Sequence, residues 1–411
     1  MKTVLYIYIL IFCSVQIINA QQNTDSIFSS AIAVSKNQQF DNSIKIAKYA
    51  LSTDTKRGDI MVFIANVYSW QLKNDSALIY IKKAKSINYQ QADLYETWTN
   101  ILMRSHQYDL LLESCNIAEQ NNYSSADILK KRLIAYTELK AYSEGVKIAE
   151  APKNKLMLKQ EPFNSLYNSL LIKRNTHIVS ANYSLDVFDN DPSRHLGSLG
   201  YSFQLGQHTL APHINWANRF GKNDLQIGTD FYLQMVREQY FYFNYDYSIG
   251  SILFPRHRLG VEYYFPLKYK REASLGMRFM GYQNSQVFIF TGHLGKYFGR
   301  NFMDIRPFYV TQKSSKSLTL IGTYKYFGKN ELNYWGLELG FGNSPDDIFA
   351  NSAISSFNQL NAYKIKVEKN FMLNRISDFR IGLGYISEEY DATKPYRNRF
   401  TIDLGYKIRL R

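Results

Sequence analysis

Apolar and polar residues alternate strand after strand through the C-terminal part of the chain, residues 175–411. In the last segment, Phe400 and Ile402 alternate with Arg399 and Thr401. Since successive side chains of a strand point to opposite faces, such a segment has one apolar face and one charged face. A bilayer cannot satisfy an open sheet edge. The pattern therefore predicts an antiparallel transmembrane β-barrel.

The number of strands follows from counting the alternating segments. There are about fourteen, an even number, as is usual for single-chain barrels of this kind. Two of them, Met303–Val310 and Leu360–Val367, are weak, so twelve strands stay open as the alternative. Two longer connections, residues 343–358 and 387–398, are candidates for extracellular loops.

A different period governs residues 24–155. Apolar residues recur there at helical spacing, and equivalent positions are 34 residues apart: Phe40, Asn74, Tyr108 and Tyr142. A helix–turn–helix unit of this length resembles the tetratricopeptide repeat (TPR), although its usual Trp, Gly and Pro positions are mostly missing. The sequence predicts an α + β multidomain protein. A TPR-like helical solenoid leads through a linker, residues 156–174, into the barrel.

The amino terminus has the features of a secretory signal peptide over residues 1–20. Lys2 precedes an apolar stretch that is too short to span a membrane, and Ala20 marks a cleavage point. Cleavage would leave Cys115 as the only cysteine, which excludes an intramolecular disulfide. We expect Cys115 to be an inert, buried thiol, because it occupies a packing position of the repeats. No later apolar run predicts a transmembrane helix.

The chain carries a formal net charge of +14. Its basic residues are spread over strands and turns, whereas a nucleic-acid-binding protein would gather them into one patch. We therefore expect no nucleic-acid partner. Anionic lipopolysaccharide outside the barrel, or an anionic solute inside it, fits this charge better.

The polar face of the predicted strands would line the lumen. Its charged positions have two interpretations: salt bridges that close the lumen, or the wall of a charge-selective pore. The candidate lumen-lining residues are Arg258, Glu262, Arg278, Arg306, Glu338 and Arg380.

Several short motifs of the barrel region resemble the YaiO family of outer-membrane β-barrels. They are Asn182-Tyr183-Ser184, Ile214 to Gly221, Thr291 to Phe298 and Arg306 to Val310. The resemblance covers about residues 175–411 and implies the outer membrane of a Gram-negative bacterium, with a periplasmic N-terminal domain. Family members in the Bacteroidetes commonly carry TPR-like repeats ahead of the barrel. The resemblance implies a location more than an activity.

One of these motifs contains a predicted turn made of Asn218, Arg219, Phe220 and Gly221. A functional interpretation makes it a contact with a periplasmic or surface partner. The simpler interpretation is a turn shaped by Gly221, with Arg219 anchored at the membrane interface.

The sequence supports two main functional hypotheses. The first is a pore or an exporter, with polysaccharide as a candidate substrate. In this hypothesis the repeats bind a periplasmic protein, a layout similar to that of bacterial cellulose exporters. The second is a non-conducting anchor that displays the repeats. A lipid-modifying enzyme is a remote third, which would need a His–Ser pair such as His213 with Ser198, Ser202 or Ser248. We expect no enzymatic activity, cofactor or metal.

Overall fold

The chain divides into two compact units, Met1–Leu170 and Leu171–Arg411. The predicted signal peptide, residues 1–20, and the predicted loop 343–358 lie outside the residues that the structure describes. This computed structural model describes residues 24–189, 191–236, 238–312, 315–328, 330, 332–342, 362–389 and 396–411.

Nine α-helices and two short 3-10 turns precede the barrel in the described residues. None of these helices is long and apolar enough to cross a membrane. The helices are α1 (residues 24–36), α2 (Phe40–Thr53), α3 (Gly58–Trp70), α4 (Asn74–Ser86), α5 (Ala92–Arg104), α6 (Tyr108–Gln120), α7 (Ala126–Glu138), α8 (Tyr142–Ala149) and α9 (Phe163–Arg174).

The backbone follows the 34-residue period. The first helices of the four units, α1, α3, α5 and α7, begin at residues 24, 58, 92 and 126. The turn inside each unit places one non-glycine residue in the left-handed region, again one repeat apart: Gln38, Leu72, His106 and Lys140. The predicted TPR-like helix pairs are confirmed.

Small residues let the paired helices approach each other. Ala47 and Ala65 are fully buried, and the rings of Tyr68 and Tyr80 stack 5.8 Å apart between α3 and α4. Cys115 is buried too, as predicted, and burial raises the pKa of its thiol to about 11. Because the thiolate is the reactive form, burial suppresses the reactivity of this thiol at neutral pH.

The segment predicted as a linker, residues 156–174, has regular structure. A 3-10 turn spans Met157–Lys159 and follows another at Pro152–Asn154. Helix α9 occupies Phe163–Arg174, the last part of the segment.

The second unit is a closed antiparallel barrel of fourteen strands. Both weak segments form strands, so the larger of the two predicted counts is confirmed. The strands are β1 (His177–Phe188), β2 (Arg194–Leu205), β3 (His208–Arg219), β4 (Lys222–Gln234), β5 (Tyr240–Ser248), β6 (His257–Leu267), β7 (Arg271–Gly281), β8 (Gln286–Phe298), β9 (Asn301–Gln312), β10 (Ser315–Phe327), β11 (Tyr334–Phe341), β12 (Ala362–Met372), β13 (Ser377–Glu389) and β14 (Tyr396–Leu410).

Pairing of β1 with β14 closes the ring, from His177 opposite Leu410 to Phe188 opposite Arg399. We call the end that contains His177 and Leu410 the terminal end, and the other the distal end. The predicted alternation sorts the side chains: Leu199 is 63% exposed on the outside, whereas inward-facing residues such as Glu262 are almost completely buried.

The predicted loop over residues 387–398 is shorter than expected. Pairing of β13 with β14 continues through Ser387–Asn398 to Glu389–Tyr396. The sequence misled here because charged and polar residues at the ends of both strands look like a loop.

The left-handed turn residue Leu72 offers a test of the repeat backbone. Its φ is +61°, a conformation that is unfavourable for leucine, and the residue is 77% exposed. Packing of the leucine side chain therefore does not offset the strain of the backbone. Leu72→Gly should stabilise the helical unit by about 0.5–1 kcal/mol. Thermal unfolding of the full chain in detergent, followed by circular dichroism at 222 nm, measures this.

Lys82→Gly is the matched control, because Lys82 is exposed inside α4. A glycine in the helix interior should destabilise by about 1 kcal/mol. Equal destabilisation by both substitutions would contradict the assigned turn.

Candidate functional site

The six residues predicted to line the lumen lie on the inward faces of their strands. Their sequence neighbours Leu259, Ile305 and Leu339 are exposed on the outer face. The strands pair in continuous register on both sides, so the inward residues of adjacent strands meet as neighbours. The candidate site is therefore the interior of the barrel.

Two of the predicted residues, Glu262 and Arg306, contact each other, and Glu262 is almost completely buried. Arg306 Nη1 donates to Glu262 Oε1 at 2.7 Å, and Arg306 Nη2 donates to the Tyr264 hydroxyl at 3.3 Å. The Ser274 hydroxyl also donates to Glu262. A carboxylate as buried as Glu262 is tolerated only when it is paired and hydrogen-bonded. This network ties β6 to β9 across two intervening strands.

Ser274 and His293 form an arrangement that the sequence did not predict. Ser274 Oγ lies 2.7 Å from His293 Nδ1, and His293 Nε2 lies 3.2 Å from Glu272 Oε1. This order of groups is that of a hydrolytic triad. However, the Ser274 hydroxyl donates to Glu262 and is only 2% exposed, so it is not directed at the imidazole or at a bound molecule.

His213, which the sequence suggested as a partner for Ser198, Ser202 or Ser248, contacts a carboxylate. Its Nε2 lies 2.7 Å from Asp246 Oδ1, and Asp246 is completely buried. Arg258 Nη1 approaches the same carboxylate at 3.6 Å. In the described residues, His213 thus contacts carboxylates, and no hydrogen bond joins it to these serines.

Several inward contacts pass over a glycine of the intervening strand. The His213–Asp246 contact joins β3 to β5, and a Cβ on Gly228 of β4 would lie 1.8 Å from the Asp246 carboxylate. Lys366 and Asp403 join β12 to β14 at 2.7 Å over Gly382. These glycines provide the space through which side chains of next-neighbour strands meet.

Arg380 belongs to the same pattern. Its Nη2 donates to Asn182 Oδ1 at 3.4 Å, from β13 to β1, over Gly405 of β14. The last predicted acid, Glu338, forms an ion pair with Lys364, whose Nζ lies 2.8 Å from Glu338 Oε1. Among the predicted residues, Arg278 differs in that it contacts an aromatic ring. Its guanidinium lies 5.7 Å from the ring centroid of Phe308.

Cavities lie inside the part of the barrel that the structure describes. One, about 410 Å³, is lined by four cations, Arg306, Lys325, Lys366 and Arg380, and by four carboxylates, Glu272, Asp304, Glu338 and Glu368. Another, about 320 Å³, lies around His213 and Arg258. A third, about 180 Å³, shares Arg380 with the first and Asn182 with the second. Four of the predicted residues, Arg258, Arg306, Glu338 and Arg380, thus line cavities directly.

The distal half of the inward face is apolar along β7 to β10. Six inward residues form a cluster whose members are at most 8% exposed. Arg278 lies against this cluster through its contact with Phe308. The cluster consists of Met280, Val287, Ile289, Phe308, Val310 and Ile321.

The connection between β5 and β6 folds into the distal mouth. The main-chain N–H groups of Ile252, Leu253 and Phe254 donate to Asp224 Oδ2 at 2.8–2.9 Å. The Leu253 and Phe254 side chains are buried against Ala217 of β3. We call residues 252–254 the inward segment; Asp224 holds it inside the barrel.

The family-motif turn, Asn218 to Gly221, is a tight turn between β3 and β4. Phe220 and Gly221 have φ values of +52° and +70°. Asn218 Nδ2 donates to Asn223 Oδ1 at 2.8 Å. The predicted interface anchor Arg219 is only 3% exposed, because β3 places it on the inward face beside Phe188. That part of the prediction was wrong.

Sequence reasoning also missed buried ion pairs at the distal end. Arg194 pairs with Asp186, and Arg397 pairs with Glu388. Arg397 also lies 4.9 Å from the ring centroid of Phe188. Only the strand register brings these residues together. Within the described residues, no group of three or more His, Cys, Asp or Glu side chains could hold a metal ion.

The glycine gaps predict a specific sensitivity. Gly228→Ala should destabilise the barrel by about 1–3 kcal/mol, because the new methyl group must displace the Asp246 carboxylate from His213. Urea unfolding of the full chain in detergent, followed by tryptophan fluorescence, measures the loss. Gly322→Ala on β10 is the control, since its Cβ would meet only one atom, at 4.0 Å. Equal effects of both substitutions would contradict the role of the gap.

The solved structures that are similar to this chain have low sequence identity to it. The KdgM porin is 11% identical over 57% of this chain and 100% of that chain, with a TM-score of 0.34. A bacterial polysaccharide outer membrane secretin is 9% identical over 58% and 99%, with a TM-score of 0.38. For the helices, Pseudomonas aeruginosa PilF is 14% identical over 38% and 71%, with a TM-score of 0.33.

No curated protein matches the sequence. One protein family does, and its description is the YaiO membrane beta barrel domain. The match spans residues 176–347, which contain β1 to β11. The chain is thus an outer-membrane β-barrel preceded by TPR-like helices, and its resemblance to the YaiO family is confirmed for residues 176–347.

Proposed function

We propose that the barrel is a closed anchor in the outer membrane and that the repeats bind a protein partner. The observation that carries this proposal is the packing of the distal half of the lumen. Met280, Val287 and Ile289 face inward and are at most 1% exposed. A conducting pathway needs polar, hydrated walls. The inward segment, held by Asp224, fills the mouth on the opposite side.

The contacts between charged side chains support the same function. Glu262 with Arg306, and Asp403 with Lys366, connect strands that are not neighbours. Such contacts stiffen the wall and use up the charges that would otherwise select ions. A pore or polysaccharide exporter is the second candidate, favoured by the cavity of about 410 Å³ beside Arg306 and Arg380.

In this proposal the helical unit lies in the periplasm of a Gram-negative bacterium. The distal turns then meet the outer leaflet. There, exposed basic residues such as Lys222 would contact the anionic groups of lipopolysaccharide.

The first helices of the repeats provide the surface for a partner. Helices α3, α5 and α7 pack side by side in sequence, which makes one continuous face. Asn66 and Asn100 lie one repeat apart on this face and are partly exposed. Since an amide side chain both donates and accepts hydrogen bonds, such a row suits the main chain of an extended peptide.

Conductance distinguishes the two candidates. The full chain, shown to be folded and inserted in planar bilayers, should give no stable current steps, because the distal half is closed. Asp224→Ala should introduce steps, since it releases the inward segment. Stable steps from the unaltered protein, with a selectivity that changes in Arg380→Gln, would instead establish the pore.

The partner surface can be tested by site-specific cross-linking in cells. A photoreactive residue at Asn100 should give a discrete protein adduct, because this position faces the proposed partner. The control is Lys82, which is exposed on α4, a second helix of the repeats. The same adducts from both positions, or none from Asn100, would contradict the assigned surface.

A further inference from the structure

Three cationic side chains converge inside the barrel near its terminal end. They are Lys325 of β10, Arg380 of β13 and Lys407 of β14. Each lies within four residues of the end of its strand that faces the terminal end, and each shares the inward face. A fourth cation, Arg409, follows two residues after Lys407.

These cations are close enough to repel one another. The charges of Arg380, Arg409 and Lys325 all act on the Lys407 ammonium, and Asp378 opposes them. Arg409, however, pairs with Asp378. Asp378, the acid that attracts Lys407, is therefore already paired with Arg409. This one carboxylate faces several cations.

Within the described residues, no salt bridge joins an acidic side chain to Lys325, Arg380 or Lys407. Arg380 contacts the Asn182 amide and the Tyr334 hydroxyl, and its buried Nε has no hydrogen-bond partner. Lys325 Nζ lies 5.0 Å from the ring centroid of Tyr334. The direct contacts of Arg380 and Lys325 are thus with neutral groups.

The remaining nearby acids have other partners. Glu272 lies 3.2 Å from His293, Glu338 lies 2.8 Å from Lys364, and Asp403 lies 2.7 Å from Lys366 and interacts with Arg380 at longer range. Glu368 interacts with Tyr334 and lies 3.9 Å from Lys366, while Asp304 bonds to Thr323. Asp304 also attracts Lys325 at longer range. The excess of positive charge is therefore greatest at Arg380 and Lys407. Like charges in a buried site are costly unless an opposite charge neutralises them.

Space for such a charge lies beside the cluster. Lys325 and Arg380 line the cavity of about 410 Å³, a volume typical of small-molecule sites. A planar guanidinium with a free N–H suits a carboxylate or a phosphate, which it binds with two parallel hydrogen bonds. We propose that Lys325, Arg380 and Lys407 form a binding site for a small anionic ligand that carries a carboxylate or phosphate group.

This site does not depend on whether the barrel conducts. A closed barrel would bind the anion from the terminal end, and a pore would bind it in transit. Conductance and anion binding therefore give separate results, and one proposal can fail without the other.

Equilibrium dialysis of the full chain in a neutral detergent, with radiolabelled inorganic phosphate at constant ionic strength, tests the site. We expect saturable binding of one phosphate per chain. Arg380→Gln and Lys407→Gln should each weaken binding about tenfold or more, and Lys407→Arg should retain it. Lys82→Gln, which removes an exposed cation on α4 of the helical unit, should leave binding unchanged.

Thermal unfolding of the barrel gives an independent readout. Without phosphate, Lys407→Gln should raise the unfolding temperature, because it removes repulsion; phosphate should stabilise the unaltered protein and not this variant. Absence of saturable binding, or equal binding by both variants and the unaltered chain, would overturn the site. A lower unfolding temperature for Lys407→Gln in phosphate-free buffer would show that the charges hold the fold together without an anion.

Discussion

The structure depends on one constraint: every main-chain polar group inside the bilayer must find its partner within the protein. The pairing of β1 with β14, from His177–Leu410 to Phe188–Arg399, meets it by leaving no edge strand. Closure then divides the side chains into two sets. Apolar residues such as Leu199 and Leu383 face lipid, and charges such as Glu262 and Asp246 are buried in one enclosed space.

Confinement of so many charges decides the character of the interior. A charge in a space of low polarity is tolerated when an opposite charge meets it, and in a curved wall the best partner is often two strands away. The glycines at 228, 382 and 405 make those contacts sterically feasible. Arg380 and Lys407 lie close together without such partners. Because buried like charges repel each other, a bound anion would stabilise this part of the interior. The fold and the proposed site thus have a common origin.

The face of a strand on which a residue lies can be predicted from the sequence, whereas its partners on other strands cannot. The alternation alone assigned Glu262, Arg306 and Arg380 to the lumen, because strand parity is a local property. It could not pair Ser274 with His293, or place Arg219 beside Phe188, because these contacts depend on which residues oppose each other across strands. Register is a property of the closed sheet, and a shift of one residue would exchange the faces.

By itself, the sequence determined the two architectures, the 34-residue period and the positions of the strands along the chain, since these follow from hydrophobic spacing. The tertiary structure decided what the interior can do. Only the closed barrel shows that Met280 and Ile289 form a dry wall, that Asp224 holds the inward segment, and that Lys407 lies beside Arg380. Each of these results joins residues of different strands, so no local pattern could record it.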